Sequence, residues 1–271
     1  MRRILAYLVL VLLAALPAAA TTLWLPVLSL TPNSVKVALP GTEVSLSFED
    51  VTGLSLMSLG ISARLVNPFD PALRARLPAG TGISPLPVIL RIEPPAWGGL
   101  SFRGVADLDI HTNLLSYVPG TPLRIFSAPL GGPFRDTTAD MGPGSYRARG
   151  TRGGFSEFLI VIDQRPIDQV IQAKLDALDE LLEDYEGSMP GSVYDDLESR
   201  LEEVRADVAL GATQDAIAEV DGFLAEVEQH SGSDIPNVWR AARDRVNVAG
   251  YLRSAAMTLR FSLVLKDELS H

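Results

Sequence analysis

Two different hydrophobic periods meet at Pro166. Before it, apolar residues recur at every second position: Val35, Val37 and Leu39 around Lys36 and Ala38, then Val44, Leu46 and Phe48 against Glu43, Ser45 and Ser47. Period two puts alternate side chains on opposite faces of a strand. Further apolar runs at 87–92, 100–111, 123–126 and 155–162 are parted by turns such as Pro94–Gly99. Many short strands with Pro/Gly turns predict a sandwich or barrel. One helical interruption is predicted at 70–77, where Asp70 is placed to cap and Pro71 to open a short helix.

After Pro166 the period is 3.6. Ile167, Val170, Ile171, Leu175, Leu178, Leu181, Leu182 and Tyr185 form one stripe, closed by Gly187 to Gly191. A second stripe runs Val193, Leu197, Leu201, Val204, Val208 and stops at Gly211. A third runs Ala216, Ile217, Val220, Phe223, Leu224, Val227 and stops near Gly232. A fourth helix is predicted from Asp234 as N-cap, with Pro236 in its first turn, through Trp239, Val246, Leu252 and Leu259, kinked or divided at Gly250. One-sided stripes must pack on one another, most simply as an antiparallel bundle. The expected class is therefore α+β: an N-terminal antiparallel β-sandwich over 21–165, then a C-terminal antiparallel helical bundle over 166–271.

Composition changes at the same place. Residues 21–165 hold fifteen of the nineteen prolines, with twelve basic and eleven acidic residues; residues 166–271 hold nine basic and twenty-two acidic. Within the helical half, 166–234 carries three basic against nineteen acidic side chains, while 235–271 carries six basic (Arg240, Arg243, Arg245, Arg253, Arg260, Lys266) against three acidic. The last helix is thus expected to turn its arginines toward the acidic ones. Exposed pairs of that kind are worth only ~0–1 kcal/mol each. They select partner and register, and apolar burial at roughly 25 cal/mol per Å² supplies the stability.

The first twenty residues predict a compartment. Arg2 and Arg3 precede an apolar run from Ile4 to Leu16, and Pro17-Ala18-Ala19-Ala20 follows. This is the pattern of a secretory signal peptide with cleavage after Ala20. The apolar run is short for a hydrocarbon core of about 30 Å, although Leu23 to Leu28 leaves an uncleaved anchor as the alternative. Cleavage removes two arginines and takes the net charge from −10 to −12. Such a charge argues against nucleic acid and anionic lipid as partners. The chain has no cysteine, so neither disulfides nor a lipidated thiol are expected. A secreted or periplasmic protein without stable membrane insertion after cleavage is the result.

Candidate chemistry is sparse. Asp107, Asp109, His111 and Asn113 alternate along one strand face, where a metal site is weighed against a polar solvent face. Asp176, Asp179, Glu180, Glu183, Asp184 and Glu186, with Asp195, Asp196 and Glu198, lack the EF-hand pattern and read as a solvated helix face. Residues 142–146 do not complete a Gly-x-Ser-x-Gly elbow, and His111, His230 and His271 offer few bases for a nucleophile. Paired carboxylates of a glycosidase depend on the fold and stay open. No catalytic, cofactor-binding or metal residue is assigned, and no cofactor is expected. Trp97 is expected to cap the sandwich core rather than to form an exposed platform for a sugar or peptide. Trp239 is expected at the bundle end or the seam between the halves.

The run Gly211-Ala-Thr-Gln-Asp-Ala216-Ile217-Ala-Glu-Val220-Asp-Gly-Phe223-Leu224-Ala-Glu-Val227, within 197–261, resembles the FIMAH domain, a helical module of exported bacterial proteins. The insertion at Ile235–Arg240 departs from that pattern. Residues 122–161, ending in Phe155-Ser156-Glu157-Phe158, look like the closing strands of exported β-sandwich domains. The whole is similar to an uncharacterised exported bacterial family, a domain of unknown function. The resemblance implies an accessory module and no chemistry. The function expected is non-catalytic binding or scaffolding at the cell envelope, with a protein or glycan ligand. The alternatives are a carboxylate- or metal-dependent envelope hydrolase and a surface adhesin using Trp97.

Overall fold

The computed structural model describes residues 21–270, other than 24, 117, 119, 143 and 144. The predicted leader, Trp24, His271 and the middle of the 142–146 turn lie outside the described residues.

Two antiparallel sheets form the first half. One runs β1 (Thr21–Leu23), β5 (Ile61–Leu65), β7 (Val88–Ile92), β13 (Glu157–Asp163), β9 (Leu123–Ala128) and β10 (Arg135–Asp136), with β6 (Thr81–Ile83) also on β13. The other runs β11 (Thr138–Gly142), β12 (Ser145–Arg152), β8 (Ser101–Ser116), β4 (Thr42–Thr52), β3 (Ser34–Leu39) and β2 (Val27–Leu30). Their inner faces share one core, in which Val35, Val44, Leu46 and Leu108 join Ile125, Phe158 and Ile160. The alternation in β3 and β4 thus places its apolar set inward. The first sheet is covered on both faces. After a one-turn helix α1 (Leu56–Leu59) comes helix α2 (Pro71–Arg74), and Ile89, Phe126, Leu159 and Val161 pack outward with Phe134 and with its Leu73. That second covering explains why 87–92 and 155–162 are continuous apolar runs. Helix α2 is built as predicted: the Asp70 carboxylate accepts from the Ala72 N–H at 2.9 Å, and Pro71 leads.

Helices α3 (Ile167–Asp184), α4 (Gly191–Leu210), α5 (Thr213–His230) and α6 (Val248–Ser270) form the second half. Their stripes meet in a core that includes Leu175, Leu178, Leu197, Leu201, Phe223 and Leu259. Helix α4 stops where predicted, at Gly211, which takes a left-handed φ of 73°. Part of the charge expectation holds. Arg260 binds Asp221 at 2.6 and 3.1 Å, Lys266 lies 2.7 Å from Asp168, and Arg253 lies 3.2 Å from Glu228. Arg240 instead pairs locally with Asp244 at 2.8 Å, and Arg243 and Arg245 meet no acidic side chain among the described residues.

The fourth helix does not begin at Asp234. Residues 231–247 are loop around a short strand, β14 (Val238–Arg240), which pairs with β8 at Ser101–Arg103, beyond the point where β12 ends opposite Ala106. Trp239 explains the departure. Its ring stacks on Phe102 (5.4 Å, 27°) and meets Phe155 edge-on (4.7 Å, 89°), so aromatic burial on the sandwich outweighs continued helix. Gly250 neither kinks nor divides α6. It lies in the first turn, where a Cβ would collide with the Gly104 carbonyl of β8. Trp97 is the other correction. It is 74% exposed on a 3₁₀ turn (Ala96–Gly98), while Leu59 and Leu100 are fully buried in the sandwich core.

Candidate binding cleft

The bundle docks on the side of the sandwich where β8, β11 and β12 meet α6. Polar contacts across the joint include those of Asn247, Arg253 and Lys174. Asn247 Nδ2 donates to the carbonyls of Gly104 (2.6 Å) and Gly153 (3.1 Å), and its Oδ1 accepts from the Gly250 N–H (2.9 Å). Arg253 grips Glu49 of β4 through both carboxylate oxygens at 2.8 Å. Lys174 of α3 lies 2.8 Å from Asp136 of β10. The close approach demands glycine: a Cβ on Gly153 would collide with the backbone of Gly250 and Tyr251, and one on Gly154 with the Tyr251 hydroxyl.

Beside these contacts the surfaces part. A cavity of about 860 Å³ lies between β9, β10, β12 and helices α3 and α6. A second, of about 360 Å³, lies between the 152–156 turn, the β14–α6 loop and the end of β7. Pro129, Tyr185 and Tyr251 wall both. The two tyrosine rings stack there, 6.3 Å apart and within 7° of parallel. Both volumes fall in the range of roughly 300–1,000 Å³ common for small-molecule pockets.

The walls carry polar groups that no side chain or backbone group among the described residues satisfies. Ser127 Oγ and Arg152 Nε in the larger cavity, and Ser156 Oγ in the smaller, are shut from solvent without a hydrogen-bond partner among the described residues. Buried polar groups are nearly always bonded; three of the exceptions lie at this seam, and Asp107 Oδ1, Tyr146 Oη and Thr151 Oγ1, also unbonded among the described residues, lie outside the two cavity linings. Among the described residues Arg152 has no carboxylate partner. Burial, reinforced by the nearby charge of Arg135, holds its guanidinium below the ordinary range against the opposing influence of Tyr251. Burial pushes the Tyr251 phenol up, while the charges of Arg152 and Arg243 pull it back. Arg243 lines the smaller cavity with a φ of 57°, the one described non-glycine residue in the left-handed region.

Of the residues singled out from sequence, Asp176 and Glu180 line the larger cavity and Trp239 the smaller, whereas the β8 set and Trp97 lie elsewhere. Asp107, Asp109 and His111 alternate along β8 with the buried Leu108 and Ile110. Asp109 faces Arg149 across the ladder at 3.4 Å; burial pushes the Asp107 carboxyl up against the pull of the same arginine. No three His, Cys, Asp or Glu residues converge as a metal site among the described residues. In the acidic cluster, Arg205 bridges Asp176 (3.0 Å) and Asp179 (2.8 Å), and Arg135 reaches Glu180 at 3.2 Å. Sequence reasoning missed Arg152, Lys174, Asn247 and Tyr251. Lys174 alone left a signal, as a cation set inside the apolar stripe between Ile171 and Leu175.

Fold and seam together define a class: an antiparallel β-sandwich with a docked helical bundle and a cation-bearing cleft where they join. The chain belongs to a family of unknown function, DUF6689, whose model matches residues 8–266. Among curated proteins, none matches it. No helix among the described residues is long and apolar enough to cross a membrane.

Proposed function

We propose that this is an exported, non-catalytic binding protein of the bacterial cell envelope that holds its ligand in the cleft between sandwich and bundle. The observation that carries the reading is the set of unbonded buried groups, Ser127, Arg152 and Ser156, on the cleft walls. Export rests on the Arg2–Ala20 leader pattern, and the net charge speaks against nucleic acid as the ligand. In this reading the helices within 197–261 act as a FIMAH-like module that closes one side of the cleft.

Non-catalysis is supported by the carboxylates on the cleft walls. Asp136 is held by Lys174, Glu157 by Arg76 at 2.5 Å, Asp176 by Arg205 and Glu180 by Arg135. A carboxylate serving as general acid or base needs a tuned pKa and a free path to substrate, which these ion pairs oppose.

Native mass spectrometry of the full chain purified from its own envelope tests the reading. A small molecule retained by the wild type and absent from Ala177→Trp, which fills the larger cavity, is the expected result. No retained molecule in either overturns it. Conversion of the retained molecule by the pure protein would favour the hydrolase instead.

A further inference from the structure

We infer that the cleft takes a small molecule bearing a carboxylate or phosphate, received by Arg152, Arg243 and Tyr251; this deepens the binding reading and rests on it. The first ground is charge accounting. The chain carries ten more acidic than basic residues; among its other part-buried cations Arg124 donates to the Thr121 and Leu123 carbonyls, while Lys174, Arg165, Arg76 and Arg253 have carboxylate partners in Asp136, Asp163, Glu157 and Glu49. Arg152 has none among the described residues, although its Nε is closed off from water. The side chain is half-buried, and a guanidinium partly removed from water without a counterion carries a cost that an incoming oxyanion lowers.

The second ground is convergence. Arg152 ends β12, Arg243 stands in the loop between β14 and α6, and Tyr251 lies in the first turns of α6. Arg152 lines the larger cavity and Arg243 the smaller, and Tyr251 walls both, so three elements set a cation on either side of one phenol whose titration both charges influence. That hydroxyl is seated against Gly154, where a Cβ would displace it. Tyr251 walls both cavities, which places the charged end of the ligand at their junction.

The third ground is chemical fit. A guanidinium fork matches the two oxygens of a carboxylate or phosphate, and a phenol donates to a third acceptor. Ser127 and Ser156 line the cavities on either side, and the stacked Tyr185 and Tyr251 rings give a flat apolar wall for the body of the ligand. Arg243 is held in a conformation that glycine would adopt more cheaply, and residues so held cluster at ligand clamps.

Calorimetric titration of the full chain with citrate, inorganic phosphate and glucose, at low and at high salt, tests the inference. Citrate or phosphate should bind saturably and more weakly at high salt, and the stronger of the two identifies the oxyanion. Arg152→Gln and Arg243→Ala should each weaken it at least roughly tenfold. Lys36→Ala, on the distant β3, should leave it unchanged. Arg243→Ala alters an exposed loop residue, so it decides the matter even if Arg152→Gln fails to fold. Equal anion affinity in wild type and Arg243→Ala, or no saturable anion binding, overturns the inference. Glucose binding that is lost in Tyr251→Ala, without anion binding, refutes the ligand class and leaves the cleft reading standing. Silence from all three probes, with no retained molecule, removes both.

Discussion

The ammonium of Lys174 lies 2.8 Å from Asp136 Oδ2, and this contact ties α3 to the edge of the sandwich beneath the larger cavity. Lys174 also donates to the Thr258 carbonyl (2.8 Å) and to Ser262 Oγ (2.9 Å), so one side chain joins α3, α6 and β10. Burial works to raise the Asp136 pKa. The charge and hydrogen bond of Lys174, with the Thr138 N–H, outweigh it and hold the carboxyl below its usual range.

Breaking that pair from one side should be severe. Lys174→Met leaves a buried carboxylate unpaired and is expected to cost about 3–5 kcal/mol by urea unfolding at neutral pH. Adding Asp136→Asn, which keeps an acceptor for the Thr138 N–H, should recover most of the loss. The sign with pH follows from the lowered Asp136 pKa. Its contribution is complete above the unfolded value of about 3.9 and fades as pH falls through the folded one. The cost of Lys174→Met should therefore shrink on acidification; a cost independent of pH would refute this assignment.

Asn247 should be irreplaceable by aspartate. At an ordinary N-cap the two are nearly equivalent. Here the amide nitrogen donates to two backbone carbonyls, Gly104 and Gly153, while only the oxygen caps Gly250. Asn247→Asp keeps the cap and points a carboxylate at those carbonyls. Its thermal stability should fall at least as far as that of Asn247→Ala, about 3 kcal/mol for the lost buried bonds. An aspartate variant as stable as wild type would contradict the role given to the donor.

The two described tryptophans should behave oppositely. Trp239→Ala removes the stack on Phe102 and the edge contact with Phe155, and should cost about 2–4 kcal/mol and loosen β14. Trp97→Ala should stay within about 0.5 kcal/mol, because the ring stands in solvent. Paired denaturation curves decide, and equal losses would mean Trp97 is packed.

These contrasts show what local pattern carries. The strands with β-branched residues facing one core, β3 and β4, and the stripes of α3 to α5, were legible because burial imposes a period that sequence must repeat. The predicted α2 followed from Asp70-Pro71, whose capping chemistry is local. The start of α6 was not legible. Whether Val238-Trp239-Arg240 is strand or helix depends on Phe102 and Phe155, more than eighty residues away. The cleft was hidden for the same reason: Arg152, Asn247 and Tyr251 acquire meaning only when Gly104, Gly153 and Gly250 bring their backbones together. Asp107 and His111 could be weighed as a site from sequence because their spacing is local, and Asp109 of the same run pairs with Arg149.

His230 gives a pH dependence of opposite sign to that of Asp136. It ends α5, and its Nδ1 lies 2.7 Å from Asp234, with Nε2 3.1 Å from Glu226. The Asp234 hydrogen bond, aided by both negative charges, raises its pKa. A raised base stabilises the fold fully below its unfolded pKa of about 6.5 and loses that contribution as pH climbs through the folded value. Hydrogen exchange in 231–237 should accelerate across that interval, and Asp234→Asn should move the His230 NMR titration down. An unmoved titration would exclude the contact.

Arg243 should trade stability for binding. Its φ of 57° costs an L-residue about 1–2 kcal/mol that glycine avoids, while glycine adds unfolded-state entropy worth about 0.5–1 kcal/mol. Arg243→Gly should therefore raise stability by up to about 1 kcal/mol, whereas Arg243→Ala, with the strain kept, should not. Both remove the guanidinium beside Tyr251, so both should weaken anion binding alike. A glycine variant that is stabler and binds citrate or phosphate as well as wild type would show that the loop conformation serves something other than the cleft. Stability and affinity moving in opposite directions is the outcome that a clamp residue requires.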